Sequence, residues 1–426
     1  MQGQIVPFWP HSKLRLGSPH QALALSEGPQ PSVVVHQQVP LQNNIFAYHI
    51  GPSSTQLNND VVTPVQPSKL SAWLKGYNST LSTYLLEGFT LGFKIPYEGP
   101  RKFRFCRNLP TAQNNMNILR EKIKKEVIAN RVAGPFADIP VPDLQVSPLG
   151  LVPKHEPGSY RVIHHLSYPD GLSINDGIPA ELCTVSYQTV QDAITWIKHF
   201  GEGALMSKTD IEHAYKLIPI NPQDHSLLGF SIDGEYYYDK TLPMGLSFSC
   251  RLFEQFSTSI QWILQNKLNV QGCVHVLDDF LFVASGDSLD CSQHLNSFYH
   301  LCEDVGIPVK EEKTVLPTTK ITFLGLELDS RDMEIRLPQD KLHKLSAQLN
   351  SFLRKKKATL RELQSLIGLL NFACAVVQPG RAFLRRLIDL TIGLKRPSHR
   401  KRLTQEVKSD LRAWLEFISQ FNGCAF

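Results

Sequence analysis

Two adjacent carboxylates, Asp278 and Asp279, lie between two apolar runs in the stretch Cys273-Val-His-Val-Leu-Asp278-Asp279-Phe-Leu-Phe-Val-Ala284. The β-branched and aromatic flanks predict two short strands joined at the acidic pair. Side-by-side carboxylates repel, and burying either without a partner is costly, so a cation held at the turn accounts for the pair. Hard divalent metals suit such oxygen donors. A solvated turn would use the same residues. What weighs against that reading is a third carboxylate, Asp210, which ends the apolar run Ala204-Leu-Met-Ser-Lys-Thr-Asp210, 68 residues before Asp278. That interval holds a strand, a hairpin, a helix and a return strand, so both acidic sites can lie side by side on one sheet. Three converging carboxylates can hold two metals, and a two-metal site favours in-line displacement at phosphorus.

A second group of residues has the opposite charge. Lys154 and Arg161 flank a Glu-Pro-Gly-Ser turn between two strand-like runs, and a hairpin there brings the two cations together. A triphosphate is the matching partner, because lysine offers a point charge and arginine a fork. His164 and His165 are adjacent on a strand and face opposite sides, which assigns them to packing or hydrogen bonding rather than to one metal. In Leu242-Pro-Met244-Gly245-Leu the glycine would let backbone approach a ligand closely.

These side chains need elements to hold them. Leu70, Trp73, Leu74, Tyr77 and Leu81 predict a helix from 68 to Gly88 or Gly92, and Met116, Leu119, Ile123 and Val127 predict one over 115–130. Val190, Ile194 and Ile197 predict a helix over 188–200 that stops at Gly201. Asp233-Gly234 is a hairpin signal between strands at 227–232 and 235–238. The stretch 242–256 runs from a glycine-bearing loop into a helix reaching about 268; a helix over 288–305 and strands over 307–316 and 321–328 follow. From 338 onward the pattern is helical and basic. Residues 1–66, rich in Pro, Gln, Ser and Asn, read as a disordered arm.

At 426 residues the chain is long enough for two or three modules. No apolar run approaches membrane-spanning length and the first residues lack a signal-peptide core, so an intracellular protein of the cytoplasm or nucleus, neither secreted nor membrane-bound, is expected. The eight cysteines are scattered without a C-x-x-C pair, which predicts reduced thiols rather than disulfides or a zinc site. The net charge is +5, yet residues 341–412 hold 17 Lys and Arg against 4 Asp and Glu, so the remainder is net acidic. A basic C-terminal segment beside an acidic centre suits a polyanion held over a metal site.

In their order these blocks resemble reverse transcriptases over about 147–330. Asp210 matches the family's first catalytic aspartate, Asp278-Asp279 its Y-x-D-D box, Leu242-Pro-Met-Gly-Leu its L-P-x-G block, and Phe323-Leu324-Gly325 its primer-grip region. Within that family, the stretches 161–177, 363–374 and 379–384 are similar to DIRS-type, tyrosine-recombinase retrotransposons. The resemblance implies an α+β right-hand polymerase with fingers, a palm built on an antiparallel sheet, and a helical thumb or connection. Its domains would be a helical N-terminal extension over 67–146, fingers and palm over 147–330, and a basic helical segment over 331–426 without an RNase H domain. It implies an RNA-directed DNA polymerase that uses two Mg²⁺ ions, or Mn²⁺ in their place, and takes an RNA template, a DNA primer and dNTPs. The oligomeric state is left open.

Residue by residue, the resemblance makes Asp210 and Asp278 the metal-binding carboxylates, with the Ile211 carbonyl as an extra ligand and Asp279 in support. Lys154 and Arg161 would grip the phosphates, Tyr215 would exclude a ribose 2′-hydroxyl, Met244 and Gly245 would pack around the nucleotide, and Lys313 would protonate departing pyrophosphate. Val276 replaces the usual aromatic of the Y-x-D-D box, and His165 stands where many relatives carry an acidic residue. An inactive nucleic-acid-binding relic and an RNA-templated RNA polymerase are the competing expectations.

Overall fold

A computed structural model describes residues 61–154, 158–420 and 422–426. Leu149–Pro153 (β1) and Tyr160–His164 (β2) form the expected hairpin. Val190–Phe200 (α1) starts where the Asp192 carboxylate accepts the Thr189 N–H at 2.6 Å and stops at Gly201, whose φ is +87°. Leu205–Asp210 (β3) follows. Ser249–Lys267 (α2) leads to the hairpin of Cys273–Val276 (β4) and Asp279–Ala284 (β5), then to Asp290–Val305 (α3). Val315–Thr318 (β6), Lys320–Phe323 (β7) and Leu326–Asp329 (β8) complete the central part.

The central sheet runs β6-β3-β5-β4 and is antiparallel throughout. Phe280, Leu281, Phe282 and Val283 are consecutive and all fully buried. Such a run requires cover on both faces of the sheet. Phe280 and Phe282 face α3, where the Phe298 ring lies 4.8 and 5.6 Å from theirs. Leu281 and Val283 pack into a second core with Ile194 and Ile197 of α1. Both strands that end in aspartates are therefore clamped between two layers of apolar side chains, which fixes their register.

A five-stranded sheet beside this core joins Arg104–Phe105, Gln145–Val146, Gly229–Ile232, Glu235–Asp239 and Val132–Phe136, in that spatial order. Leu149 and Leu151 of β1 pack with its Phe230 and Ile232 and with Leu119 and Ile123 of the helix Met116–Ile128. One side of the β1/β2 hairpin is thus anchored in a small core.

Several expectations need correcting. The reading of 1–66 as a disordered arm falls, for 1–60, outside the described residues; 61–66 are packed, with Val65 only 2% exposed and the Gln66 N–H bound to the Val305 carbonyl. The single helix expected from 68 is two, Pro67–Trp73 and Ser79–Leu91, because Gly76 takes φ +90° and the Asn78 side chain caps the second by accepting the Leu81 N–H. The segment 67–146 is not purely helical, since it supplies three strands of the five-stranded sheet. The strand expected at 227 begins at Gly229, after a 3₁₀ segment opened by Asn221 and Pro222. The strand expected over 307–316 is interrupted by the 3₁₀ turn Glu311–Lys313, and 321–328 folds back on itself as β7 and β8 through Leu324 and Gly325, at φ 46° and 79°. Positive φ at both central residues closes a two-residue hairpin turn that the apolar pattern hid.

The C-terminal part is mainly helical, with Gln339–Arg354, Leu360–Ala373 and Gln405–Gln420 gathered around the fully buried Trp414. It also contains strands: Lys357–Thr359 pairs with Arg400–Arg402, and Glu334–Arg336 joins β8 and Cys424–Ala425. The basic run at 355–357 ends a helix instead of continuing it, since Lys355 is already extended. Lys341 donates to the Gly325 carbonyl at 2.8 Å and stands 4.4 Å from the centre of the Phe372 ring, so the helices are tied to the β7/β8 turn.

Candidate active site

The register of β3 against β5 places Asp279 directly opposite Asp210, and that of β5 against β4 adds Val276 to the same row. Asp278 occupies the adjoining turn with Leu277, whose φ is +54°. A leucine held in the left-handed region costs about 1–3 kcal/mol and persists only where neighbours fix it. Burial first, then Asp210 and Asp279, pushes the Asp278 carboxyl up to about 6. Asp279 is raised by burial and then by the neighbouring Asp210 carboxylate. The three acidic groups thus act on one another, as an acidic cluster short of positive charge does.

The cation paired with the acidic row is Lys313, whose ammonium meets Asp210. Burial acts to lower Lys313, and Asp210, Asp278 and Asp279 outweigh it, so its ammonium is held above the ordinary lysine range. Among the described residues no three His, Cys, Asp or Glu side chains stand as a metal cage. The expected convergence of three chelating carboxylates is therefore met in register and charge but not as a closed ligand shell. The mutually repelling carboxylates hold the Lys313 ammonium against Asp210. The donors remain suited to hard divalent cations: two or three carboxylates and the Ile211 carbonyl. The Ile211 N–H donates to the Asp278 carbonyl at 3.0 Å, and among the described residues no backbone N–H donates to the Ile211 carbonyl outside the regular ladders. Lys208, Thr209, Asp210, Asp279, Lys313 and Val315 line an open cleft of about 310 Å³.

Tyr215 lies in the 3₁₀ segment after β3, edge-on to Phe253 of α2, with its hydroxyl 3.2 Å from Cys250 Sγ. Burial first, and then Cys250, holds that phenol well above the usual range. Met244 is 39% exposed, while its carbonyl accepts the His164 N–H at 3.2 Å. Gly245 has φ +129°, and a Cβ there would collide with the His164 carbonyl oxygen. The close approach that this glycine permits in the structure is to the end of β2.

On the β1/β2 hairpin, Arg161 is the ladder partner of Val152, and the Lys154 N–H donates to the Ser159 carbonyl. Cross-strand partners share a face, as do residues two apart, so Lys154 and Arg161 lie on the same face. Both are exposed and neither forms an ion pair among the described residues. His164 is buried, with Nδ1 3.0 Å from Asp239 and Nε2 3.1 Å from the Gly229 carbonyl, which bears out a hydrogen-bonding role. Burial acts to raise Asp239, but Lys216 and His164 outweigh it and hold its carboxyl below the usual range. Phe323 is buried, and Leu324 and Gly325 make the β7/β8 turn.

Sequence reasoning missed two participants. Lys208 lies two residues before Asp210, on the same face of β3, and that spacing was the available signal. Glu254 is a 6% exposed carboxylate on α2 whose Oε2 accepts the Leu277 N–H at 2.9 Å. Only its place on the apolar side of a helix hinted at this.

With this geometry in hand, the likeness to known proteins can be stated. Residues 152–328 match the family model for reverse transcriptase (RNA-dependent DNA polymerase). The chain is 31% identical over 173 residues to Protein P of duck hepatitis B virus (strain Germany/DHBV-3), covering 38% of this chain and 20% of that protein. It is 24% identical over 173 residues to the Pro-Pol polyprotein of feline foamy virus, covering 40% of this chain and 14% of the polyprotein. The chain thus spans a fifth or less of the length of these two curated relatives. Among solved structures it is similar to the foamy viral protease-reverse transcriptase dRH in complex with double-stranded DNA, at TM-score 0.58 and 18% identity over 89% of this chain and 63% of the other. It is also similar to the foamy viral protease-reverse transcriptase in complex with RNA/DNA hybrid, at TM-score 0.57 and 16% identity over 89% of this chain and 49% of the other. The fold is that of a right-hand polymerase, mixed helix and sheet, with the acidic row on its central antiparallel sheet.

Proposed function

We propose that this chain is a reverse transcriptase, adding dNTPs to a primer 3′-hydroxyl on an RNA template with release of pyrophosphate. The observation that carries the proposal is the pairing of Asp279 with Asp210, with Asp278 in the adjoining turn, inside the segment that matches the family model. Asp210 and Asp278 would hold two divalent cations, assisted by the Ile211 carbonyl and supported by Asp279. Mg²⁺ is the ion assigned, with Mn²⁺ as a substitute. Bound there, the ions would neutralise charge on the attacking and departing oxygens.

The chain's own residues do the remaining work. Lys154 and Arg161, on one face of their hairpin, grip the triphosphate. Tyr215, braced by Phe253 and Cys250, bounds the sugar and excludes a ribose 2′-hydroxyl, while Met244 and Gly245 border the base. Lys313, its proton held by acidic neighbours, donates it to pyrophosphate. The turn at Phe323, Leu324 and Gly325 positions the primer end, and the basic segment 341–412 holds the duplex by its phosphates. The complexes of the foamy viral enzyme with double-stranded DNA and RNA/DNA hybrid support this choice of partner. The stretches at 161–177, 363–374 and 379–384 support an origin in a DIRS-type retrotransposon. We assign the protein to the cell interior; among the described residues no helix is long and apolar enough to cross a membrane.

The test is extension of a primed homopolymer RNA by the purified chain with Mg²⁺. Incorporation of dNTP but not rNTP, abolished by Asp278→Asn, is the expected result. Extension that survives Asp278→Asn overturns the catalytic assignment. Equal rNTP use would point to an RNA polymerase, and template binding without extension to an inactive relic.

A further inference from the structure

Beneath the acidic turn lies a buried polar chain that the catalytic reading does not use. Glu254 and His275 are 6% and 2% exposed, and Gln261 is 8% exposed. Gln261 Nε2 donates to the Cys273 carbonyl at 2.6 Å, which turns its Oε1 towards His275 Nδ1, 2.8 Å away. An amide oxygen can only accept, so Nδ1 carries a hydrogen and the other ring nitrogen faces Glu254. That Nε2 stands 3.3 Å from Glu254 Oε1, near the carboxylate but without the alignment of a hydrogen bond. The imidazole is further fixed by stacking on Phe280, 5.3 Å between centroids at 19°, and the backbone N–H of His275 donates to Gln188 Oε1 at 2.8 Å. With one carboxylate oxygen near the ring, the other accepts the N–H of Leu277, the left-handed residue preceding Asp278.

We infer that Glu254 is a positioning residue, which through its bond to the Leu277 N–H and with His275 and Gln261 as its brace sets the turn that presents Asp278. The inference rests on the proposed polymerase reading for its consequence in catalysis, and on the hydrogen bonds alone for its consequence in structure. Each end of the chain is anchored independently: Glu254 and Gln261 lie seven residues apart on one face of α2, while Leu277, His275 and Cys273 belong to the β4 side of the hairpin. The carboxylate therefore fastens α2 to the acidic turn, so that Asp278 is aimed by a helix that does not itself bear a metal ligand. Glu254 touches no substrate, and its effect should fall on the reaction step more than on binding.

The test compares Glu254→Gln, which keeps an acceptor for the Leu277 N–H, with Glu254→Met, which fills the volume without one. His275→Leu, which removes the brace, is the second removal should Glu254→Met fail to fold. Two measurements are made on the full chain: amide hydrogen exchange of a peptide spanning 274–280, and single-nucleotide addition with dNTP. We expect exchange in that peptide to rise at least tenfold in Glu254→Met and to stay within threefold of wild type in Glu254→Gln. We expect kcat to fall at least tenfold in Glu254→Met, with dNTP KM and template-primer Kd within threefold of wild type, and Glu254→Gln to restore most of it. His275→Leu should lie between the two. Unchanged exchange in both Glu254→Met and His275→Leu overturns the inference, as does equal loss in Glu254→Met and Glu254→Gln, or a loss confined to Kd. If wild-type protein extends no primer, the polymerase reading fails, while the exchange data still decide whether Glu254 sets the turn.

Discussion

Two hairpins of this molecule carry candidate functional charges at their turns, and they are built in opposite ways. The β4/β5 hairpin is buried on both faces, its turn is held by a left-handed leucine and a buried carboxylate, and its charges are crowded and alike. The β1/β2 hairpin has one face in a small core, and its two cations stand exposed on the other, without an ion pair among the described residues. The first arrangement suits groups that must hold a fixed geometry and whose mutual repulsion calls for a counter-charge. The second suits groups that meet an anion arriving from solution, where fixed packing would hinder access. On the proposed function, the contrast gives chemistry to one hairpin and capture to the other.

The sharpest way to break that contrast is to remove charge from each side in turn. Asp210→Asn or Asp278→Asn should lower kcat on the order of a thousandfold with little loss of melting temperature, since removing one of several repelling carboxylates relieves strain. A drop in KM alone would contradict the assignment. Lys313→Met should cost about a hundredfold in kcat, the usual scale for losing a general acid, and should abolish the alkaline limb of the pH–rate profile. Arg161→Ala should instead raise the dNTP KM about tenfold, near 1.4 kcal/mol, and leave kcat within a few-fold. An effect of Arg161→Ala on kcat as large as that of Lys313→Met would erase the distinction between the hairpins.

The smallest effect concerns stability. The folded Asp278 carboxyl titrates near 6, above its ordinary value of 3.8. Between those values the folded chain keeps a proton that the unfolded chain releases, so stability should rise as pH falls from 7 towards 4 and be lost as pH climbs through about 6. Activity should move the other way, because a protonated carboxyl is a poor metal ligand. Melting curves at pH 7 and 5 without divalent ions check this, and Asp278→Asn should flatten the acid-side gain.

Much of the acidic site was legible because strands buried on both faces leave continuous apolar runs, and aspartates ending such runs have few places to go. The fingers-like hairpin was legible from its turn residues, and α1 from its apolar stripe and its glycine stop. What stayed hidden was set by backbone geometry and contacts distant in sequence. Nothing in the apolar pattern of 321–328 marks the reversal at Leu324 and Gly325. The role of Gly245 depends on a carbonyl some eighty residues earlier. Glu254 read as one polar position on a helix, and only the folded chain brings it under Leu277. Lys313 came from family likeness rather than from its own surroundings, and its pairing with Asp210 could be seen only once β3 and the following 3₁₀ turn were in place.

The Lys341 ammonium, which bonds the Gly325 carbonyl and rests against Phe372, has a mechanical consequence. One side chain is shared by the β7/β8 turn, the helix Gln339–Arg354 that bears it and the neighbouring helix Leu360–Ala373. Any tilt of those helices would move the turn with them unless that bond gave way. Force applied to the helices is therefore transmitted to the β7/β8 reversal, as through a short lever with its pivot at a single lysine.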